Sequence, residues 1–187
     1  MNKKTLALTT EQYHDIIDTI KAGCSRFRPN NRLATLLVIE ANLGLRISDI
    51  LKLRFDDIVR DGERYRLDIT EQKTGKKRTF TVLPEIYSYL KIYCLENNRK
   101  PHELIFPVKE RAVQKQLKIV CDYLGYEGIS THSFRKFFAT SIYVNNDYDI
   151  VTVQKLLQHS TPAVTQRYIG IDSKKIEDAL QKHICLR

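Results

Sequence analysis

The sequence predicts an α+β domain, mainly helical with one small antiparallel sheet. Apolar residues recur at helical spacing through most of the chain, while one short central region alternates strictly between apolar and polar residues. Glycine and proline are few, 7 and 5 in 187 residues, so the punctuation falls mostly at helix ends. That length suffices for one domain with its own core, or two very small ones.

Taken in order, Thr9 and Gln12 have the spacing of a capping box and open a helix that runs through Ile20. A second helix is expected over residues 32–42, capped by Asn30 or Asn31 and stopped at Gly44. Ser48 is the expected cap of a short third helix, with Ile50, Leu51 and Leu53 turned inward. Over residues 64–70, Tyr65, Leu67 and Ile69 alternate with polar residues, a strand signature. Thr74-Gly75-Lys76 reads as a turn, and residues 78–83 alternate again through Phe80 and Val82. The result is a hairpin with Lys73, Lys76, Lys77 and Arg78 around its turn. Pro84 starts a helix over residues 85–97, and further helices are expected over 109–123, 132–144 and 149–159. Ser160 or Thr161 caps a short helix toward Tyr168, and Asp172 caps a last one over residues 173–183.

The composition narrows the class of partner. Lys and Arg number 31 against 22 acidic residues, a formal charge of +9. The corresponding pI of about 9.4 points to a polyanion, because neutralising phosphates releases counterions; simple solubility charge is the bland alternative. No run approaches the roughly 20 apolar residues that span a bilayer, and no signal-peptide core follows Met1. A cytoplasmic location without a membrane partner is therefore expected. Cys24, Cys94, Cys121 and Cys185 show no C-x-x-C spacing, which argues against a disulfide framework or a zinc site and for reduced, mostly buried thiols.

Several residue groups have the chemistry to work on a phosphate. His132 and Arg135, three apart on a helix, share one face, although a solvated face would look the same. Arginine offers a permanently charged fork suited to phosphate oxygens. Arg46 lies between apolar Leu45 and Ile47 and needs an anionic partner; a structural ion pair with Asp49 is the alternative. Lys73 beside the turn could clamp a phosphate or deliver a proton, with Lys76 and Lys77 as competitors. Tyr168 follows His159 by nine residues; a phenol with a pKa of about 10 is a poor nucleophile unless cations and a proton acceptor stand near. Taken singly, these residues are read as packing, a surface face or a structural ion pair.

Together, in the order Arg46, Lys73, His132, Arg135, His159 and Tyr168, they resemble the tyrosine recombinases, the phage-integrase family, over nearly the full chain. The carrying segments are Gly44-Leu45-Arg46-Ile47-Ser48-Asp49-Ile50, Lys73-Thr74-Gly75, Thr131-His132-Ser133-Phe134-Arg135, Leu156-Leu157-Gln158-His159 and Thr165-Gln166-Arg167-Tyr168. The resemblance implies the family's catalytic-domain fold and site-specific cutting and rejoining of double-stranded DNA through a 3′-phosphotyrosyl intermediate. It makes Tyr168 the nucleophile and Arg46 and Arg135 the phosphate ligands. Lys73 becomes the general acid, His132 the handler of the nucleophile's proton, and His159 a phosphate contact. Lys76, Lys77 and Arg78 are candidate DNA-binding residues. No cofactor is implied, neither metal nor ATP, in keeping with the lack of a Walker motif or of an acidic cluster at metal-ligand spacing.

The resemblance further implies a bacterial, phage or mobile-element source and a homotetramer on paired DNA sites, monomeric off DNA; the tail after Tyr168 either passes to a neighbouring protomer or packs as a helix on its own domain. The family's N-terminal core-binding domain is expected to be absent, residues 1–187 being the catalytic domain. Leu43, Phe134 and Gln158 replace residues more usual in the family, threonine, leucine and glycine, and Gln158 is expected to bear on the loop holding His159. Two other readings are a type IB topoisomerase relative and a non-catalytic DNA-binding module of the same fold.

Overall fold

The computed structural model describes residues 5–170; the helix expected over residues 173–183, and Cys185, lie outside the described residues. Helix α1, Thr10–Ala22, opens with the expected capping box, in which the Thr9 hydroxyl accepts from the Gln12 amide and the Gln12 side chain accepts from the Thr9 amide, both at 3.1 Å. It buries Ile16, Ile17 and Ile20. Helix α2, Asn31–Leu43, is capped by Asn30 and ends at Gly44 in the left-handed conformation, φ 56°. A methyl group on Gly44 would lie 2.2 Å from Cδ1 of the Phe138 ring, so both the backbone twist and the close approach require glycine.

Helix α3 is Ile47–Ile50, and here the expected cap is wrong. Arg46 occupies the N-cap position without a side-chain cap bond, and Ser48 lies inside the helix. Ile50 and Leu53 are buried as expected. A 3₁₀ turn, Phe55–Asp57, leads into a sheet of three strands rather than two: β1 Ile58–Asp61, β2 Arg64–Thr70 and β3 Lys77–Val82. Both pairings are antiparallel, with Ile58 opposite Leu67 and Tyr65 opposite Val82. The overlooked strand has four residues and no alternation, and its one signal is the Asp61-Gly62 turn, with Gly62 at φ 63°.

Tyr65 stacks on Tyr87 of helix α4, Pro84–Glu96, with ring centroids 3.7 Å apart, and this seats the sheet on the helix. Helices α5, Glu110–Leu124, and α6, Thr131–Asn145, follow. The core gathers Ile16 and Ile20 of α1, Leu36 and Ile39 of α2, Phe106 and Phe134. Helix α1 is also tied to residues far along the chain. The Tyr126 hydroxyl donates to Asp15 at 2.5 Å, Tyr13 stacks on Phe137 at 5.0 Å, and Lys136 donates to the Thr5 carbonyl at 2.7 Å.

The chain divides into two compact units, Met1–Phe138 and Ala139–Arg187, the boundary falling inside α6. In the second, α7, Ile150–Leu157, packs on α8, Pro162–Ile169. Asp149 caps α7 by accepting from the amides of Val151 and Thr152, and Thr161 caps α8. Among the described residues, Cys94 and Cys121 are buried, Cys24 is partly so, and all three are free. No described helix is long and apolar enough to cross a membrane.

Candidate active site

In the first unit the site is built at the end of α2. The last carbonyls of a helix lack intrahelical partners and carry its negative pole, which makes them natural seats for guanidinium groups. Arg78 donates through NH2 to the Leu43 carbonyl at 3.2 Å and through NH1 to the Gly44 carbonyl at 3.3 Å. Arg135, one turn into α6 from His132, donates to the same Gly44 carbonyl. One peptide oxygen thus orients two arginines.

Arg46 leaves the Gly44 turn from the other side, and its NH1 meets Oε2 of Glu71 at 2.5 Å. Glu71, directly after β2, is fully buried at its side chain and also accepts from Arg78 at 3.4 Å and from the Thr74 hydroxyl at 2.8 Å. Burial pushes its carboxyl up, but the hydrogen bonds from Arg46 and Thr74 and the charges of Arg46 and Arg78 outweigh it and hold the group below its usual range. Arg78 responds the other way. Burial, then the charges of Arg135 and Arg46, bring it down to about 10. The Phe80 ring lies 4.8 Å beneath its guanidinium.

These positions revise one expectation and set aside one alternative. Arg78 was expected on the outside of the turn as a DNA contact, whereas it is 2% exposed and spent on the α2 carbonyls and Glu71. Lys73, Lys76 and Lys77 are exposed there. Arg46 has Glu71 as its anion rather than Asp49, and Asp49 instead accepts from the Gln72 amide at 2.8 Å.

His132, at the start of α6, completes this group. Burial lowers the pKa of its imidazole, the positive charge of Arg135 lowers it further, and Lys73 and Arg46 act in the same direction. Four of the six candidate catalytic residues, Arg46, Lys73, His132 and Arg135, therefore share one electrostatic neighbourhood.

The other two, His159 and Tyr168, lie together in the second unit. Their rings meet edge to face with centroids 5.1 Å apart. Gln158, at the α7 C-cap, takes the left-handed conformation usual for glycine, φ 55°, so the substitution leaves the sharp turn in place. His159 is then fixed by its amide on the Gln154 carbonyl at 3.1 Å and by Nδ1 against the Thr165 hydroxyl at 3.1 Å. Thr165 is fully buried.

The sequence reading missed Glu71, Thr165 and the Gly44 carbonyl. For Glu71 a signal was present: a lone acid opening the cationic run Glu71-Gln72-Lys73-Thr74-Gly75-Lys76-Lys77-Arg78. Thr165 lies in the segment Thr165-Gln166-Arg167-Tyr168, where its residue type alone signals no role, and a backbone carbonyl has no sequence signature.

The profile of the phage integrase family matches residues 7–175 of the chain. The chain belongs to that family. Among phage-integrase relatives, a probable integrase/recombinase, YoeC of Bacillus subtilis, is 36% identical over 154 residues, covering 76% of this chain and 80% of the relative. The tyrosine recombinase XerA of Pyrococcus furiosus is 30% identical over 192 residues, 96% of this chain and 63% of the relative. Among solved structures, the XerH recombinase bound to palindromic difH superposes with a TM-score of 0.70 at 22% identity, over 96% of this chain and 53% of that one. The catalytic domain of the bacteriophage HP1 integrase gives 0.66 at 19% identity, over 96% of both chains. At those identities the likeness shows the phage-integrase catalytic fold alone. Length varies more than fold: the chain spans 80% of the Bacillus relative, 44% of an XerC relative and about half of the XerH chain.

Proposed function

We propose that residues 1–187 form the catalytic domain of a site-specific tyrosine recombinase that cuts and rejoins double-stranded DNA. The observation that carries this reading is the gathering of Arg46, Lys73, Arg135 and a pKa-lowered His132 in one neighbourhood, within a chain of this family that also pairs His159 with Tyr168. Arg46 and Arg135 bind the non-bridging oxygens of the scissile phosphate and offset the charge that grows in the pentacoordinate transition state. The Tyr168 hydroxyl attacks phosphorus and its proton passes to His132, whose pKa is lowered by burial and by the charge of Arg135. Lys73 protonates the 5′ oxygen as the P–O bond breaks. His159, held at Nδ1 by Thr165, contacts the phosphate through Nε2. The 3′-phosphotyrosyl link conserves the phosphodiester, so attack by another 5′ hydroxyl reverses the step on a new partner strand.

Lys76 and Lys77, exposed on the turn beside Lys73, contact the DNA backbone. Assembly as a homotetramer on paired sites, with the tail after Tyr168 passing to a neighbouring protomer, completes the reading, as does action in the cytoplasm where the DNA lies. Deleting residues 173–187 abolishes tetramer formation on paired sites if the tail is exchanged and leaves it intact if it is not.

The deciding experiment incubates the protein with nicked suicide duplexes taken from the DNA flanking its coding sequence, followed by a denaturing gel. A covalent protein–DNA band that Tyr168→Phe eliminates is the expected result. Cleavage that survives in Tyr168→Phe, or binding with no band on any such duplex, would sink the proposal.

A further inference from the structure

Resting on that reading of Lys73, we infer that Glu71 is a positioning residue: it locks the turn carrying the general acid onto Arg46, so that the proton donor and a phosphate ligand are set by one carboxylate before DNA arrives.

The bonds around Lys73 support this. Glu71, two residues before it, gives Oε2 to Arg46 at 2.5 Å and to the Thr74 hydroxyl at 2.8 Å, and Oε1 to Arg78 at 3.4 Å. Its amide donates to the Lys76 carbonyl and its carbonyl accepts from the Gly75 amide, each at 2.9 Å. The Gln72 amide is held by Asp49 at 2.8 Å, and the Gln72 side chain accepts from Lys52. Every neighbour of Lys73 from 71 to 75 is therefore fastened, either across the turn or to residues 46–52, while the Lys73 side chain itself stays exposed.

Charge explains why a carboxylate is tolerated beside a phosphate site. A buried carboxylate that only neutralised Arg46 would spoil that arginine for an anionic substrate. Arg78, 2% exposed, supplies the second positive charge, so the Arg46–Glu71–Arg78 set keeps a net charge of one. Arg46 gives NH1 to Glu71 and keeps the rest of its five-donor fork for the phosphate.

The test separates proton donation from phosphate binding by changing the leaving group. A 5′-bridging sulfur leaves as a thiolate and needs no proton, whereas a 5′-bridging oxygen does. On the oxygen duplex, Glu71→Gln should slow covalent-complex formation by about 10²-fold, the lower range for a misplaced general acid. Most of that loss should return on the sulfur duplex, and Thr74→Val should show a smaller loss with the same recovery. Equal losses on both duplexes would mean that Glu71 acts only through Arg46, and the inference would fall. Lys73→Ala is the control: if sulfur does not rescue it, the assignment of Lys73 is at fault. The lock is then decided without DNA, by hydrogen exchange of the folded protein. There Glu71→Gln should speed exchange at the Gln72 and Gly75 amides by at least about tenfold, with the sheet amides unchanged. Unchanged exchange at those two amides refutes the lock.

Discussion

Arg135, His132 and Gly44 carry the strongest consequences at the level of single residues. On the proposed role of Arg135 as a phosphate ligand, truncating it to alanine should lower the cleavage rate by about 10²–10³-fold with DNA binding nearly kept. The His132 pKa is lowered first by burial and then by Arg135, so the ring loses its proton earlier than an ordinary histidine as pH rises. Cleavage should accordingly climb with pH through a midpoint below about 6.5, and His132→Gln should flatten that limb. An unchanged acid limb in His132→Gln would assign it to another group. Gly44→Ala forces a left-handed alanine whose Cβ would sit 2.2 Å from the buried Phe138 ring. Left-handed strain and overpacking together should cost about 2–5 kcal/mol in urea unfolding. The shifted carbonyl would also misdirect both Arg78 and Arg135.

Among the elements, α2 holds the least comfortable group. Glu40 is fully buried, and neither of its carboxyl oxygens has a hydrogen-bond partner among the described residues. Burial raises its pKa well above the usual value, against the pull of Arg135. The folded chain thus keeps a proton that the unfolded chain releases, and stability falls as pH rises above the unfolded carboxyl value of about 4.3. Glu40→Gln should match the parent's melting temperature near pH 4 and exceed it by about 3 °C at pH 8, the scale of 1 kcal/mol in a chain of this size. Equal melting at both pH values would show that the proton is not held. The elements also show where the sequence could be read. Local signals such as the Thr9 capping box, the Gly44 stop, Pro84 at a first turn and the alternation through Tyr65, Leu67 and Ile69 all found their places, because each is decided within a few residues. Strand β1 escaped because only its partner β2 makes its four residues a strand. Arg78 escaped because its burial depends on carbonyls 34 and 35 residues away, which no local pattern encodes. The candidate catalytic residue types were legible from their order; the carboxylate of Glu71 and the carbonyl of Gly44 that hydrogen-bond to their arginines were not.

For the molecule as a whole, the charge of +9 should govern the proposed encounter with DNA. Binding should weaken steeply with salt as condensed counterions are released. Lys76→Ala and Lys77→Ala should each reduce the slope of log affinity against log salt by about one, with no change in sequence preference. Arg78→Ala should behave differently. Because its head is buried against Leu43, Gly44 and Glu71, the loss should appear as lowered stability and cleavage, with the salt slope retained. A slope change in Arg78→Ala equal to that of the lysines would contradict the buried placement.

Helix α1 has a schedule written into it. Asp15 waits for Tyr126, 111 residues later, and Tyr13 for Phe137. At roughly 5–20 residues per second a ribosome takes on the order of 6–20 s to deliver those partners. Until α5, Glu110–Leu124, is made, α2 is the principal packing partner of the helix that carries Ile16, Ile17 and Ile20. The nascent chain therefore carries an incompletely covered apolar helix at a stage when Arg46 and Lys73 are already made but His132, Arg135, His159 and Tyr168 are not. A stall before residue 110 leaves it in that state.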